Sequence, residues 1–170
     1  ILPDYYSGAG GSVWITAADL LGNGYIHANG GNYLIDFPGG GGRISLVVTN
    51  APDFSGFTGL VEAHGGKNVA SQSDVPPQSG AGTVFRRTKR QEPGRGTVSL
   101  DNDRGFSSTQ YCTEIPSASN GDPMEMRHLV FEVADSAALI LMDDCAVGDV
   151  QILDTNIRLN LNGYILTIHS

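Results

Sequence analysis

Apolar and polar residues alternate in short runs along this chain, and a glycine-rich segment precedes three of these runs. The three runs start at Ser12, Arg43 and Thr83 and read SVWI, RISL and TVFR. Alternation with a period of two predicts a β-strand that buries one face. A short glycine turn therefore leads into a strand three times, and this recurrence is an internal repeat.

A second motif follows each of these strands and starts at Gly24, Gly59 and Gly96. Its copies read GYIHANGG, GLVEAHGG and GTVSLDND, at spacings of 35 and then 37 residues. Repeats of this length that consist of strands bury their apolar faces by stacking on one another, so the sequence predicts a β-solenoid. Glycine suits such a stack because it adopts positive φ without steric cost and lets neighbouring backbones approach closely.

Short apolar runs continue to the end of the chain at a spacing of roughly ten residues, separated by Asp, Asn or Gly. This spacing also predicts strands, and no segment has a helical period with capping residues. We therefore expect one all-β domain over residues 1–170 with almost no helix. It is divided into glycine-rich rungs at 8–104, a loop at 105–123 and C-terminal rungs at 124–170.

The alternation assigns one set of residues to the interior of the stack. The set is Val13, Ile15, Ile26, Ile44, Leu46, Val61, Val84, Val98, Val130, Leu139, Leu141, Ile152, Leu159, Leu161 and Leu166. Arg86 departs from the pattern, because it takes the position that Ile15 and Leu46 hold in the earlier repeats. A charge cannot face a dry core without a partner, so we expect the rung to splay or the core to narrow there.

The glycine-rich copies and the closing segment 147–168 resemble the repeat regions of large secreted and cell-surface β-solenoid proteins, including the passenger regions of adhesins. The resemblance covers most of the chain. It consists of the pattern of repeats and includes no catalytic signature. It implies a right-handed parallel β-helix and an extracellular or cell-surface location. It implies no particular activity, because a fold alone does not determine function.

Stacking of the second motifs would bring polar residues into columns on the outside of the stack. One column holds His27, Glu62 and Ser99, and the next holds Asn29, His64 and Asp101. His27 beside Glu62, and His64 beside Asp101, form the best candidate binding site, since they supply acid, base and metal-ligating groups. A solvated, charge-balanced face is the alternative interpretation of the same residues.

The formal net charge of −8 argues against a nucleic acid or an anionic membrane as the partner. The basic cluster Arg86–Arg90, together with Arg95, holds five of the ten basic residues and is the local exception. It is a solvated turn, a polyanion site or a cleavage site for a dibasic protease. The chain begins with Ile1 and has no apolar run of membrane-spanning length, so we expect a mature or excised form without membrane insertion.

Cys112 and Cys145 are too far apart for a CxxC motif, so a disulfide is the first expectation for an exported protein and two buried thiols are the alternative. Carboxylates recur at Asp143, Asp144, Asp149 and Asp154. Oxygen-rich turns can bind Ca²⁺, but this spacing matches neither an EF-hand nor the nonapeptide calcium repeat. We therefore assign no cofactor and leave the question of a metal open.

No nucleophile elbow, phosphate-binding loop or zinc-protease motif occurs, so we do not expect an enzyme. We expect an extracellular structural module that assembles with its own copies into a filament or surface layer, or that stacks on neighbouring domains of a larger protein. The alternative is a β-helix that binds or cleaves polysaccharide. Rings for sugar stacking would come from Trp14, Tyr25, Tyr33, Phe54 and Phe57.

Overall fold

The computed structural model describes residues 7–33, 38–70, 77–103, 106–107, 112–115 and 125–169. Within these ranges the chain consists of short β-strands, turns and one 3₁₀ helix, Glu125–His128. The prediction of an all-β fold with almost no helix is therefore confirmed. Most of the predicted loop at 105–123 lies outside the described residues.

The strands are short, as the spacing of the apolar runs predicts. Those before residue 90 are β1 (Ser12–Ala17), β2 (Tyr25–His27), β3 (Arg43–Val48), β4 (Leu60–Glu62), β5 (Pro77–Gln78) and β6 (Thr83–Arg87). Those that follow are β7 (Gly96–Asp101), β8 (Phe106–Ser107), β9 (Thr113–Ile115), β10 (Leu129–Ala134), β11 (Ala138–Leu141), β12 (Cys145–Val147), β13 (Asp149–Ile152), β14 (Arg158–Asn160) and β15 (Leu166–Ile168).

Six of these strands form one sheet, in the order β1-β3-β6-β7-β10-β13. Smaller sheets pair β2 with β4, β5 with β8 and β12 with β15, and a three-stranded sheet has the order β14-β11-β9. All of these pairs are parallel except β6–β7, which is antiparallel. The large sheet is therefore mixed, and the sheets do not close into a complete parallel β-helix.

The register of the glycine-led strands agrees with the sequence repeat. Val13 pairs with Ile44, which in turn pairs with Val84, and Ile15, Leu46 and Arg86 are aligned in the same way. The second motif behaves as predicted in its first two copies, because Ile26 pairs with Val61. The prediction for its third copy is wrong. That copy is β7, which joins the large sheet between β6 and β10 and does not stack on β4.

The antiparallel pair also moves the hydrophobic core from one face of the large sheet to the other. Phe85 pairs with Val98 and Val84 pairs with Ser99, and directly paired residues point to the same face. Val84 and Phe85 are neighbours on one strand and so point to opposite faces. Val84 belongs to the core below β1 and β3, whereas Val98 belongs to the core below β10. The two cores therefore lie on opposite faces of the sheet.

We call residues 7–87 the N-terminal region, residues 88–95 the linking loop and residues 96–169 the C-terminal region. The N-terminal core is small and contains Ala28, Ile44, Leu46, Ala63 and Val84. The C-terminal core is larger and contains Val98, Leu100, Ile115, Phe131, Val133, Ala137, Leu139, Leu141, Cys145 and Val147, joined by Ala81 from the N-terminal region. The change of core thus comes before the segment that the sequence suggested as the divide.

Packed glycine backbones close one side of the N-terminal region. We call them the glycine wall, and they belong to Gly10, Gly40, Gly41, Gly42, Gly65, Gly80 and Gly82. Hydrogen bonds join Gly10 N to Gly40 O at 2.8 Å and Gly41 N to Gly80 O at 3.0 Å along the stack. Others cross to the second motif, as from Gly82 N to Ala63 O at 2.6 Å. A Cβ on Gly82 would lie 1.9 Å from the carbonyl oxygen of Gly42. Close approach, and not positive φ, is therefore what requires glycine at this position.

Most predicted interior positions lie in a core, but two are wrong. Val130 points away from the C-terminal core, because its neighbours Phe131 and Val133 are the buried residues of β10. Leu161 follows β14 in a turn and is exposed. Ile152 and Leu159 do align with core residues, since they pair with Val133 and Leu139, yet both are largely exposed because no described strand pairs with the outer side of β13 or β14.

Candidate functional site

A cavity of about 290 Å³ lies at the junction of the two regions, and we call it the junction cavity. On one side it is bounded by β4, the last strand of the β2–β4 sheet, and on the other by the polar face of β7 and β10. Its charged and polar lining residues are Glu62, His64, Arg86, Ser99, Asp101, Asp103, Glu132 and Asp135. The large sheet continues beyond β6 with β7 and β10, whose apolar side chains pack in the C-terminal core on the opposite face. The cavity forms on the face that this change of core leaves uncovered.

Three of the four predicted site residues line this cavity, namely Glu62, His64 and Asp101. His27 does not line it, although it pairs with Glu62 across the β2–β4 ladder as predicted. The predicted column of His27, Glu62 and Ser99 is wrong, because β7 left the stack. Ser99 and Asp101 nevertheless approach the cavity from the large sheet.

A hydrogen-bond network holds the rim formed by β4. Asn29 Nδ2 donates to Glu62 Oε2 at 3.2 Å, and Asn29 Oδ1 accepts from the backbone N–H of His64 at 3.1 Å. His64 Nε2 lies 3.9 Å from Glu62 Oε2, so a protonated imidazole would form an ion pair with this carboxylate. On the far rim, Lys67 Nζ forms an ion pair with Asp103 Oδ2.

Arg86 lines the cavity at the position where the N-terminal core ends. Its Nη1 donates to Ser99 Oγ at 3.0 Å, and Ser99 Oγ donates to Glu132 Oε2 at 2.9 Å. Burial lowers the pKa of Arg86, and the charge of Glu132 partly offsets this effect. The guanidinium stays protonated at neutral pH because the ordinary pKa of arginine is so high. The N-terminal core ends at this rung, at which the sequence predicts that the rung splays or the core narrows.

The junction cavity thus combines a fixed cation, several carboxylates and an apolar patch from Val61 and Val84. Such a surface offers hydrogen-bond acceptors and donors to a hydroxyl-rich ligand. Among the residues that the structure describes, no three His, Cys, Asp or Glu side chains are grouped so that they could hold a metal ion.

The aspartates considered for Ca²⁺ all accept hydrogen bonds from backbone N–H groups. Asp144 Oδ1 accepts from Ile165 N at 2.9 Å and so joins two rungs, and Asp149 Oδ1 accepts from Val150 N at 2.8 Å at the start of β13. Asp143 and Asp154 accept from the backbone N–H of the residue that follows each of them, as carboxylates in turns do.

Both cysteines are described, and the predicted disulfide between them is not present, since each is a thiol. Cys112 is half buried next to β9, in a groove that also borders Gly40 and Gly80. Cys145 is buried in the C-terminal core at the start of β12. Burial raises the pKa of both thiols, and Arg158 partly offsets the effect at Cys112.

A second candidate site is the surface of the last rung, which we call the open end. Ile152, Leu159 and Ile168 pair with Val133, Leu139 and Val147, whose side chains are at most 3% exposed. The three outer residues are nevertheless 62%, 42% and 49% exposed, respectively. Within the described residues, β13, β14 and β15 each pair on one side only. The outer edges of β13, β14 and β15, as described, therefore present both apolar side chains and free backbone groups to solvent.

Two buried polar residues at the junction escaped the sequence analysis. Asn102 is fully buried, where its Oδ1 accepts from Gly65 N at 3.0 Å and its Nδ2 donates to Ser79 O at 3.0 Å. Gln78 is also fully buried and donates to Gly65 O at 2.7 Å. Both side chains join the glycine wall to neighbouring segments. The signal in the sequence was weak, because Asn102 stands in the third copy of the motif at a place that the first two copies give to glycine.

Comparison with known proteins returned no relative: no family model, no curated protein and no solved structure matches the chain. The described part of the chain also contains no helix that is long and apolar enough to cross a membrane. Arguments about function therefore rest on the junction cavity and the open end.

Proposed function

We propose that this chain is an extracellular structural module, a right-handed parallel β-solenoid interrupted once at β6–β7, that assembles end to end with its own copies. The observation that supports assembly is the open end. Ile152, Leu159 and Ile168 face the interior but lack a covering rung within the described residues. Right-handedness is proposed because nearly all crossover connections between parallel strands have that hand. The cell surface is the proposed location, since the repeat texture resembles that of surface proteins.

The reversal at β6–β7 determines how two copies would fit together. Strands β1 and β13 run in opposite directions, and their cores lie on opposite faces of the sheet. A rotation of 180° about the direction in which the strands stack reverses both the strand direction and the face of the sheet that carries the core. A second copy rotated in this way places its β1 parallel to β13, with its N-terminal core over the C-terminal core of the first.

Repetition of this contact produces a filament with a twofold screw axis. The contact is heterologous, because it joins β13 of one copy to β1 of the next, and a heterologous contact that does not close into a ring propagates as a fibre. Val13 and Ile15 would meet the exposed residues of the last rung, and they already pack as a half-buried layer on the N-terminal core. An edge strand with free backbone groups is a template for such pairing.

Electron microscopy and sedimentation velocity of the purified chain test the proposal. We expect filaments that shorten on dilution, and we expect the variant Ile152→Asp to remain monomeric, because a buried unpaired carboxylate opposes association. Val69→Asp is the matched control, since Val69 is 54% exposed but belongs to no strand of the large sheet, and it should still assemble. A monodisperse monomer at high concentration would overturn self-assembly and favour stacking on another domain of a larger protein.

A second candidate function is the binding of polysaccharide in the junction cavity. The cavity supports it because Arg86, Glu62 and Asp101 supply donors and acceptors beside an apolar patch. Calorimetric titration with neutral and amino-sugar oligosaccharides tests this function, with Glu62→Gln as the variant and Glu114→Gln, an exposed residue outside the cavity, as the control. Heat of binding that Glu62→Gln does not change would exclude the cavity as the site.

A further inference from the structure

A dense run of basic side chains spans the end of β6 and the start of the linking loop. Arg87 ends β6 and is half buried, whereas Lys89 and Arg90 are exposed. Gln91 is half buried, and the residues from Glu92 to Arg95 are all exposed. Among the described residues outside 86–95, basic side chains are isolated along the sequence, except for Arg127 and His128 in the 3₁₀ helix.

Few contacts hold the backbone of the linking loop. Lys89 N donates to Ala51 O at 3.1 Å and, among the described hydrogen bonds, is the one backbone N–H of the loop that bonds to a residue outside it. Within the loop, Gln91 N donates to Thr88 O, Arg95 N donates to Glu92 O, and Thr88 N donates to Gln91 Oε1 at 2.9 Å. No residue of the loop belongs to either core cluster of the described chain. Exposed loops with few backbone hydrogen bonds are the preferred sites of proteolysis, because they can adopt the extended form that a protease binds.

We propose that the Arg90–Gln91 peptide bond is a processing site for an endoprotease with acidic subsites. Arg90, Lys89 and Arg87 stand one, two and four residues before this bond, and each would pair with a carboxylate of the protease. Gln91 does not obstruct cleavage, as a proline at that position would. Water adds across the amide bond, so that Arg90 gains a carboxylate and Gln91 gains an ammonium group.

Cleavage at this bond leaves both cores intact. The β6–β7 pairing continues to join the fragments, because its register involves Val84, Phe85 and Arg86 and lies outside the loop. Asn102 still bonds to Gly65, and Thr113 Oγ1 still donates to Ala81 O at 2.5 Å. The product is therefore a nicked but folded chain whose two regions are held by non-covalent contacts. This inference does not depend on end-to-end assembly.

Limited digestion of the folded chain tests the site with two probes, trypsin and a proprotein convertase of the subtilisin family. We expect both to cut first between Arg90 and Gln91, giving fragments 1–90 and 91–170 by mass spectrometry. The fragments should elute together in gel filtration and separate only in denaturant. First cleavage at another bond, or a folded chain that the convertase leaves intact, would overturn the proposal.

Three variants distinguish recognition of the basic side chains by the protease from cleavage that depends only on exposure of the loop. Arg90→Gln should remove the cut by both probes. Arg87→Gln should slow the convertase at least about tenfold, through the loss of one charge pair, and leave trypsin unaffected. Arg95→Gln is the control in the same loop and should not change the rate at Arg90. Equal convertase rates for the wild-type chain and Arg87→Gln would show that exposure alone selects the bond, which contradicts recognition of the basic run.

Discussion

The N-terminal and C-terminal regions are both built from stacked short strands, yet they fill their interiors in different ways. The N-terminal region has a small core and closes its side with glycine backbones that leave no room for a Cβ. The C-terminal region fills its interior with Phe131, Leu139, Leu141 and similar side chains. Of the 23 glycines, 18 precede β7. Backbone packing and side-chain packing are thus alternative ways to exclude water from the same kind of stack.

The largest effect should come from placing a methyl group in the glycine wall. In Gly82→Ala the new Cβ would lie 1.9 Å from Gly42 O and 2.7 Å from Ala63 O, and neither backbone atom can move away without breaking the stack. We expect a loss of more than about 3 kcal/mol in the free energy of unfolding, or failure of the N-terminal region to fold. Urea unfolding followed by circular dichroism measures the loss.

Gly11→Ala is the control for this substitution. Gly11, Gly42 and Gly82 each precede a glycine-led strand, so they hold the same place in the repeat. No atom lies within 4 Å of a Cβ on Gly11, because no described strand pairs with the outer side of β1. This variant should be neutral or slightly more stable. Equal losses for the two variants would contradict the proposed role of close backbone approach.

In the C-terminal region, a cavity in the side-chain core should cost nearly as much. Leu141 is fully buried, and Leu141→Ala should lower the free energy of unfolding by about 3 kcal/mol through lost burial and an unfilled cavity. Leu161→Ala is the matched control, since Leu161 is 44% exposed, and should cost less than about 1 kcal/mol. A similar loss for both would mean that Leu161 is buried in the folded chain, contrary to its exposure.

The glycine-led strands and their register were predictable, because each glycine phrase starts the strand at an equivalent residue. The reversal at β7 was not, since an alternating pattern has the same form whichever way the strand runs. Arg86 was the available signal, because a charge at a core position showed where the first core ends. The buried face of β10 could also have been predicted from Glu132. A charged residue at this position places its neighbours Phe131 and Val133 on the buried face.

The junction cavity could be predicted only in part. Glu62 and His64 follow from the stacking of the first two motifs, which the sequence predicts correctly. Arg86, Glu132 and Ser99 reach the cavity through the antiparallel pair, which the alternation cannot reveal. The exposure of Ile152 and Leu159 could not be predicted either. Periodicity identifies the inner face of a strand but does not show whether another strand stacks on it.

A smaller effect is expected where the two regions are joined by a buried amide. Asn102→Ala removes the acceptor for Gly65 N and the donor to Ser79 O, and leaves both backbone groups without these partners. The free energy of unfolding should fall by about 2 kcal/mol. Asn32→Ala is the control, since Asn32 Oδ1 accepts from Lys67 N at an exposed position, and should cost less than about 1 kcal/mol. Equal costs would show that burial of Asn102 does not matter.

The smallest effect concerns pH and should be confined to the C-terminal region, which holds both thiols. Burial raises the pKa of Cys145, so the folded chain keeps its proton at a pH where the unfolded chain has lost it. The resulting stability is complete below the unfolded pKa of about 8.5 and declines as the pH rises through the folded pKa. Because one proton is involved, the decline cannot exceed about 1.4 kcal/mol per pH unit. Urea unfolding from about pH 7 to about pH 10 should therefore show a shallower decline for Cys145→Ala than for the wild-type chain. An identical slope in the two proteins would mean that Cys145 ionises as readily in the folded chain as in the unfolded one, contrary to its place in the C-terminal core.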